Sequence, residues 1–242
     1  LGKLSGLDVN ALFISAVPGD DPSVIGSGIL GAPEPAIGPG RIPAWVQTLM
    51  KCAQPATIPE ALRIERRVIA KLDDALDAAR AAAEDLGLTV AMHPQRFAGD
   101  ARNLAVAFAH ELVLSAADLN VWGGESTVEL PAEPGRGGRN QQLALAAARL
   151  LAGHDDLAIL AAGTDGTDGP TADAGALVDG STLDRGTIAG LDAEACLARC
   201  DAGSFLEASG DLVSTGPSGT NVGDLVLGLR MPRALGARQS PA

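Results

Sequence analysis

Two short runs of this sequence carry most of its chemistry. Gly137-Gly138-Arg139-Asn140-Gln141-Gln142 opens an alanine- and leucine-rich stretch that reads as a helix. Gly163-Thr164-Asp165-Gly166-Thr167-Asp168-Gly169-Pro170-Thr171 follows a short apolar run that reads as a strand. The first N–H groups of a helix lack internal partners and carry partial positive charge. Glycines let a ligand approach the backbone, and a guanidinium grips a carboxylate or phosphate through two parallel hydrogen bonds. Gly137, Gly138, Arg139 and Asn140 are therefore candidates for binding an anion, with a flexible loop and an ordinary helix start as the other reading. Asp165, Asp168 and Asp173 offer oxygens to Mg²⁺, which prefers such ligands and keeps its waters. The same residues also suit turns and caps.

Three further runs stand at the ends of apolar segments. Ser214-Thr215-Gly216-Pro217-Ser218-Gly219-Thr220-Asn221 could line an oxygen-rich ligand or form a surface loop. Pro18-Gly19-Asp20-Asp21-Pro22-Ser23 and Gly123-Gly124-Glu125-Ser126 place Asp20 and Glu125 as carboxylates facing a metal or substrate, or as caps and turns. No G-x-x-x-x-G-K-[ST] loop and no G-x-G-x-x-G after a strand occurs, and there is no G-x-S-x-G elbow. His93, His110 and His154 lie in unrelated contexts and read as surface or packing residues. Cys196 and Cys200 share a helix with no further metal ligand nearby.

The elements that must position these groups alternate between helix and short strand. Strands are expected at Ala11–Val17, Thr89–Met92, Leu119–Trp122, Leu157–Ala161 and Asp224–Leu229, with Val128–Leu130 as a possible hairpin arm. Glu60–Leu86 has an apolar stripe through Leu62, Ile69, Leu72, Leu76, Ala79, Ala83 and Leu86 and predicts one long helix that stops at Gly87. Helices are also expected at Asp100–Ser115, Asn140–Ala152, Ser181–Ala189, Ala193–Cys200 and Ser204–Ser209. Residues 31–43 read as a long surface connection, Pro131–Gly138 as a mobile loop, and the tail after Arg230 as disordered. This alternation predicts a layered α/β fold with mostly parallel sheets and flanking helices, its Gly-rich loops at the ligand-binding strand ends. The formal charge of −12 argues against a nucleic-acid or anionic-membrane surface. No apolar run approaches the roughly 18 residues of a membrane span. Three cysteines and no signal-peptide pattern lead to an expectation of reduced thiols and a cytoplasmic setting.

Taken in order, the runs at 17–28, 123–128, 137–142, 163–175 and 215–224 resemble the class II glycerate 2-kinases, whose C-terminal part is the MOFRL domain and whose older label is hydroxypyruvate reductase. The resemblance implies an incomplete Rossmann-like N-terminal part over residues 1–117, a complete MOFRL domain over 118–230, and a tail at 231–242. It also implies transfer of the ATP γ-phosphate to the 2-hydroxyl of D-glycerate with Mg²⁺. In that frame Arg139, Asp165 and Asp168 are catalytic, and Asp165 and Asp168 hold the metal. Gly137, Gly138, Asn140, Thr164, Thr220, Asn221 and Glu125 contact substrate, and Asp20, Ser23, Gly123 and Gly124 contact the cofactor. Family members carry an upstream lysine and a G-G-G-S-A loop that this sequence lacks. The expectation is thus of a truncated chain, inactive or partial without the N-terminal segment, and prone to self-association. The alternatives are a non-catalytic remnant or ligand-binding module and an NAD(P)H-dependent reductase; the absent dinucleotide fingerprint argues against the reductase.

Overall fold

The computed structural model describes residues 6–28, 42–52 and 63–231. The chain divides into two compact units, Leu1–Ala70 and Lys71–Ala242. This division falls before the 117/118 boundary expected from sequence, because the strands between residues 71 and 117 join the same sheet as those that follow. Gly2-Lys3-Leu4, most of the 31–43 connection, Leu62 and the tail from Pro232 onward lie outside the described residues.

In the first unit, β1 (Asp8–Ile14) precedes α1 (Ala44–Cys52), and β2 (Arg63–Ala70) pairs in parallel with β1. The long helix expected from Glu60 is therefore split. Ile64 and Val68 are four residues apart, which puts them on one face of a helix and equally on one face of a strand. β-Branched side chains and the backbone of β1 favour the strand. Ile64 and Val68 pack with Ala11, Phe13 and Ile25. Leu12 is 62% exposed and Ile69 54% exposed on the other face.

The second unit begins with α2 (Leu72–Asp85), whose start is held by the Lys71 N–H donating to Asp74 at 2.9 Å. Gly87, at φ +79, follows its end as the stripe predicts. Next come β3 (Val90–Met92), β4 (Phe97–Asp100), α3 (Ala101–Leu114) and β5 (Leu119–Thr127). Asp100 caps α3 by accepting from the Arg102 and Asn103 N–H groups, both at 3.0 Å. The chain continues through α4 (Arg139–Leu151), β6 (Leu157–Gly163), β7 (Gly175–Asp179), α5 (Thr182–Ile188), α6 (Ala193–Ala198), α7 (Ala202–Ser209), β8 (Leu212–Val213) and β9 (Asp224–Arg230).

The seven strands form one sheet in the order β3-β5-β9-β6-β7-β8, with β4 also on β5. The α/β layering matches the expectation, but the strand directions do not. β3 and β4 run parallel to β5, whereas β5–β9, β9–β6, β6–β7 and β7–β8 are antiparallel. The last strand slots between β5 and β6 and opposes both. A local pattern shows the β5–α4–β6 crossover but not that a distant segment will separate its two strands.

Helices cover both faces. α2 supplies Leu76 and Ala83 against Leu119 and Val121. On the opposite face Phe108 and Leu112 of α3, Leu143 and Ala147 of α4 and Phe205 of α7 pack with Trp122, Ile159 and Val226. Buried on nearly every side, α4 is a core helix. His93 stacks on Trp122 with ring centroids 4.6 Å apart, the packing role expected of it.

Candidate functional site

The buried helix α4 begins at the edge of the sheet where β5 ends and β9 starts, and its first turn is already occupied. The Asn140 and Gln141 N–H groups donate to Asp168 at 3.0 and 2.8 Å, and the Asn140 side-chain amide adds a third bond at 3.3 Å. Asp168 is 2% exposed. Burial pushes its carboxyl up to about 6, opposed by the hydrogen bonds from Gln141 and Asn140. The N–H donors that sequence assigns to an anionic substrate are thus taken by the chain's own carboxylate. The neighbouring glycines serve the same contact. A Cβ on Gly138 would lie 2.3 Å from Asp168 Cγ, and one on Gly169, at φ +58, would lie 2.9 Å from Gly138 Cα.

Arg139 is held on a different side. Its Nε and Nη2 donate to the two oxygens of Asp224 at 2.6 and 3.1 Å, and Nη1 lies 2.9 Å from Glu125 Oε1. Asp224 is 1% exposed and opens β9, where its backbone is paired with Gly124 and Gly163. The hydrogen bonding to Asp224 is the largest effect on Arg139 and raises its pKa further, so the guanidinium stays charged. Asp224 was legible in the sequence only as the acid closing the last run. Its partner is 85 residues away.

The loop after β6 is stitched to the segment before β9. Thr164 donates through N and Oγ1 to Gly223 O at 3.0 and 2.7 Å, and its Oγ1 accepts from Val222 N at 2.9 Å. Ser218 donates to the carbonyls of Thr164 and Asp165 at 2.6 and 3.0 Å. A Cβ on Gly166 would lie 2.1 Å from Gly216 O. Asp165 accepts from Thr167 N at 2.9 Å, and the exposed Asn221 accepts from Gly223 N at 3.1 Å. Thr220, half-buried, shares this segment.

Several expectations need correction here. Gly123-Gly124-Glu125-Ser126 is not a loop but the continuation of β5. A Cβ on Gly123 would meet the Leu76 side chain at 3.0 Å and one on Gly124 would lie 2.1 Å from Phe97 O, so both glycines admit neighbouring elements. Val128–Leu130 forms no strand. Pro131–Gly138, expected to be mobile, is fastened through Arg136. Its N–H donates to Asp201 at 3.0 Å, and its guanidinium reaches Asp173 at 3.1 Å and Glu207 at 2.6 Å. Sequence reasoning passed over Arg136, although it sits one residue before Gly137. Asp20, at φ +53, and Ser23, whose N–H donates to Asp21 at 2.8 Å, belong to the first unit. Among the described residues no group of three or more His, Cys, Asp or Glu side chains is placed to hold a metal ion. No helix among them is long and apolar enough to cross a membrane.

Residues 119–224, which contain the whole Arg139–Asp224–Glu125–Asp168 cluster, match the MOFRL family. This region is a MOFRL domain. A protein from Agrobacterium vitis named as a hydroxypyruvate reductase is 38% identical over 233 residues, 88% of this chain and 53% of that protein. The D-glycerate 2-kinase of Thermotoga maritima is 49% identical over 109 residues, 45% of this chain and 26% of the kinase. The crystal structure of a Thermotoga maritima glycerate kinase superposes with a TM-score of 0.77 at 31% identity, covering 95% of this chain and 61% of that one. The chain thus spans little more than half the length of these relatives where the alignment is long. Within the MOFRL domain the Arg139 guanidinium stands among three carboxylates, those of Asp224, Glu125 and Asp168.

Proposed function

We propose that the MOFRL domain binds the acceptor of a glycerate 2-kinase reaction, the transfer of the ATP γ-phosphoryl group to the 2-hydroxyl of D-glycerate. The single observation that carries this reading is the state of Arg139. It is 37% exposed; its hydrogen bonds to Asp224 use two of its five N–H groups, and Nη1 lies 2.9 Å from Glu125 Oε1 in an ion pair. At least one N–H remains on each Nη atom, donors suited to a carboxylate. The kinase and the kinase structure that share this domain favour the same reading.

Phosphoryl transfer depends on positioning and charge neutralisation more than on covalent chemistry. Arg139 holds the substrate carboxylate. The exposed Glu125 beside it accepts the hydrogen bond of the substrate hydroxyl. The 2-oxygen forms the new P–O bond as the bond between the γ-phosphorus and its bridging oxygen breaks, ADP leaves, and the hydroxyl proton passes to a carboxylate. Asp168 acts indirectly by fixing the first turn of α4. The donor set would suit Mg²⁺ arriving with the nucleotide's phosphates, because that ion needs only one or two protein carboxylates; Asp165, whose carboxylate accepts from Thr167 N, would be the one to hold it. When bound, Mg²⁺ neutralises phosphate charge. We assign Thr164, Thr220 and Asn221, in the loop after β6 and the segment stitched to it, as further substrate contacts. Since the relatives are longer, we assign the remaining nucleotide contacts to residues outside the MOFRL domain.

A coupled ADP-release assay with D-glycerate, ATP and Mg²⁺ tests this. The expected result is slow, D-glycerate-dependent release that Arg139→Ala abolishes. NADH oxidation with hydroxypyruvate, and no ADP release, would replace the kinase reading with the reductase reading.

A further inference from the structure

The pairing of Arg139 with Asp224 is more than an ion pair at the rim of a site. A guanidinium has one edge formed by Nε and a single Nη, and another formed by the two Nη atoms. Asp224 occupies the first edge with both oxygens, at 2.6 and 3.1 Å. Its side chain is 2% exposed, so it has no access to water as an alternative partner. Its backbone is clamped between β5 and β6 through Gly124 and Gly163. The carboxylate cannot follow the arginine; the arginine must follow the carboxylate. Arg139 also sits at the first position of α4, whose next two residues are fixed by Asp168. Both ends of the Arg139 side chain are therefore set by the fold.

We infer that Asp224 is a positioning residue that fixes the plane of the Arg139 guanidinium, so that its Nη atoms, one of them 2.9 Å from the exposed Glu125, are presented to an anionic group of the substrate. The inference rests on the reading of Arg139 as a substrate contact, and it assigns a role to a residue that never meets the substrate. Lysine at position 139 would supply charge but no plane for Asp224 to hold. Asparagine at position 224 keeps the shape, loses the charge and turns one acceptor into a donor facing the guanidinium.

The test is an NMR titration of the purified chain with D-glycerate, following the backbone amides and the Arg139 Nε–Hε signal. In the wild type that signal is protected from exchange and moves with ligand. In Asp224→Asn the amide spectrum persists, the Nε–Hε protection is lost, and D-glycerate binds at least tenfold more weakly. An Asp224→Asn protein that binds as tightly as wild type overturns the inference. So does an unprotected Nε–Hε in the wild type, a result that needs no variant to fold. A protected signal that D-glycerate never moves instead overturns the substrate reading and leaves Asp224 as a structural residue.

Discussion

The sheet of Lys71–Ala242 carries helices on both faces, whereas the two strands of Leu1–Ala70 cover one face and leave Leu12, Ile14 and Ile69 exposed on the other. Among the described residues of the first unit the sheet has two parallel strands, whereas parallel sheets are ordinarily covered on both faces. The seven-stranded sheet has helices on both of its faces. It also supplies every contact of the Arg139 cluster from its own residues. The Arg139 cluster is thus built within one unit, and the described strands of the other leave apolar side chains exposed.

The comparison breaks most readily at the core. Phe205 is fully buried against Gly186, so Phe205→Ala should cost about 3–5 kcal/mol by chemical denaturation. Phe13→Ala, in the small cluster of β1 and β2, should leave that main transition unmoved. Equal effects on one shared transition would show that the units unfold together. Next in size is Gly138→Ala, which drives a methyl group into Asp168 and should cost about 1–3 kcal/mol while lowering D-glycerate binding.

The pH dependence sharpens the same contrast. The folded chain keeps the Asp168 proton up to about 6, whereas an unfolded aspartate releases it near 4. The native state therefore binds more protons across that window, and the Asp168 contribution to stability falls as pH rises through it, then levels off. Asp168→Asn should remove that slope in denaturation curves measured across the range. The smallest effect on stability is expected from Leu12→Ser with Ile69→Ser, within about 0.5 kcal/mol because both side chains are exposed. The expected change is in sedimentation: the wild type self-associates through this apolar face, and the double variant does so less.

What the sequence made legible was local. The helix from Asp100 to Ser115, the stop at Gly87, and the short helices after residue 181 all follow from caps and spacing within one element. The misreadings were of pairing. Ile64 and Val68 fit helix and strand alike, and only β1 decides between them. The glycine at 138, read as a place of close backbone approach, is met by Asp168, and those at 124 and 166 are met by Phe97 and Gly216. Arg139 was recognisable by its setting between glycines and amides. Asp224 could not be joined to it without knowing that β9 runs between β5 and β6.

The most direct test of the account is calorimetric titration of D-glycerate into the purified chain and into Arg139→Ala, each shown to melt cooperatively. The account predicts saturable binding to the wild type that disappears in the variant. Equal heats from both proteins, or none from the wild type, would contradict it.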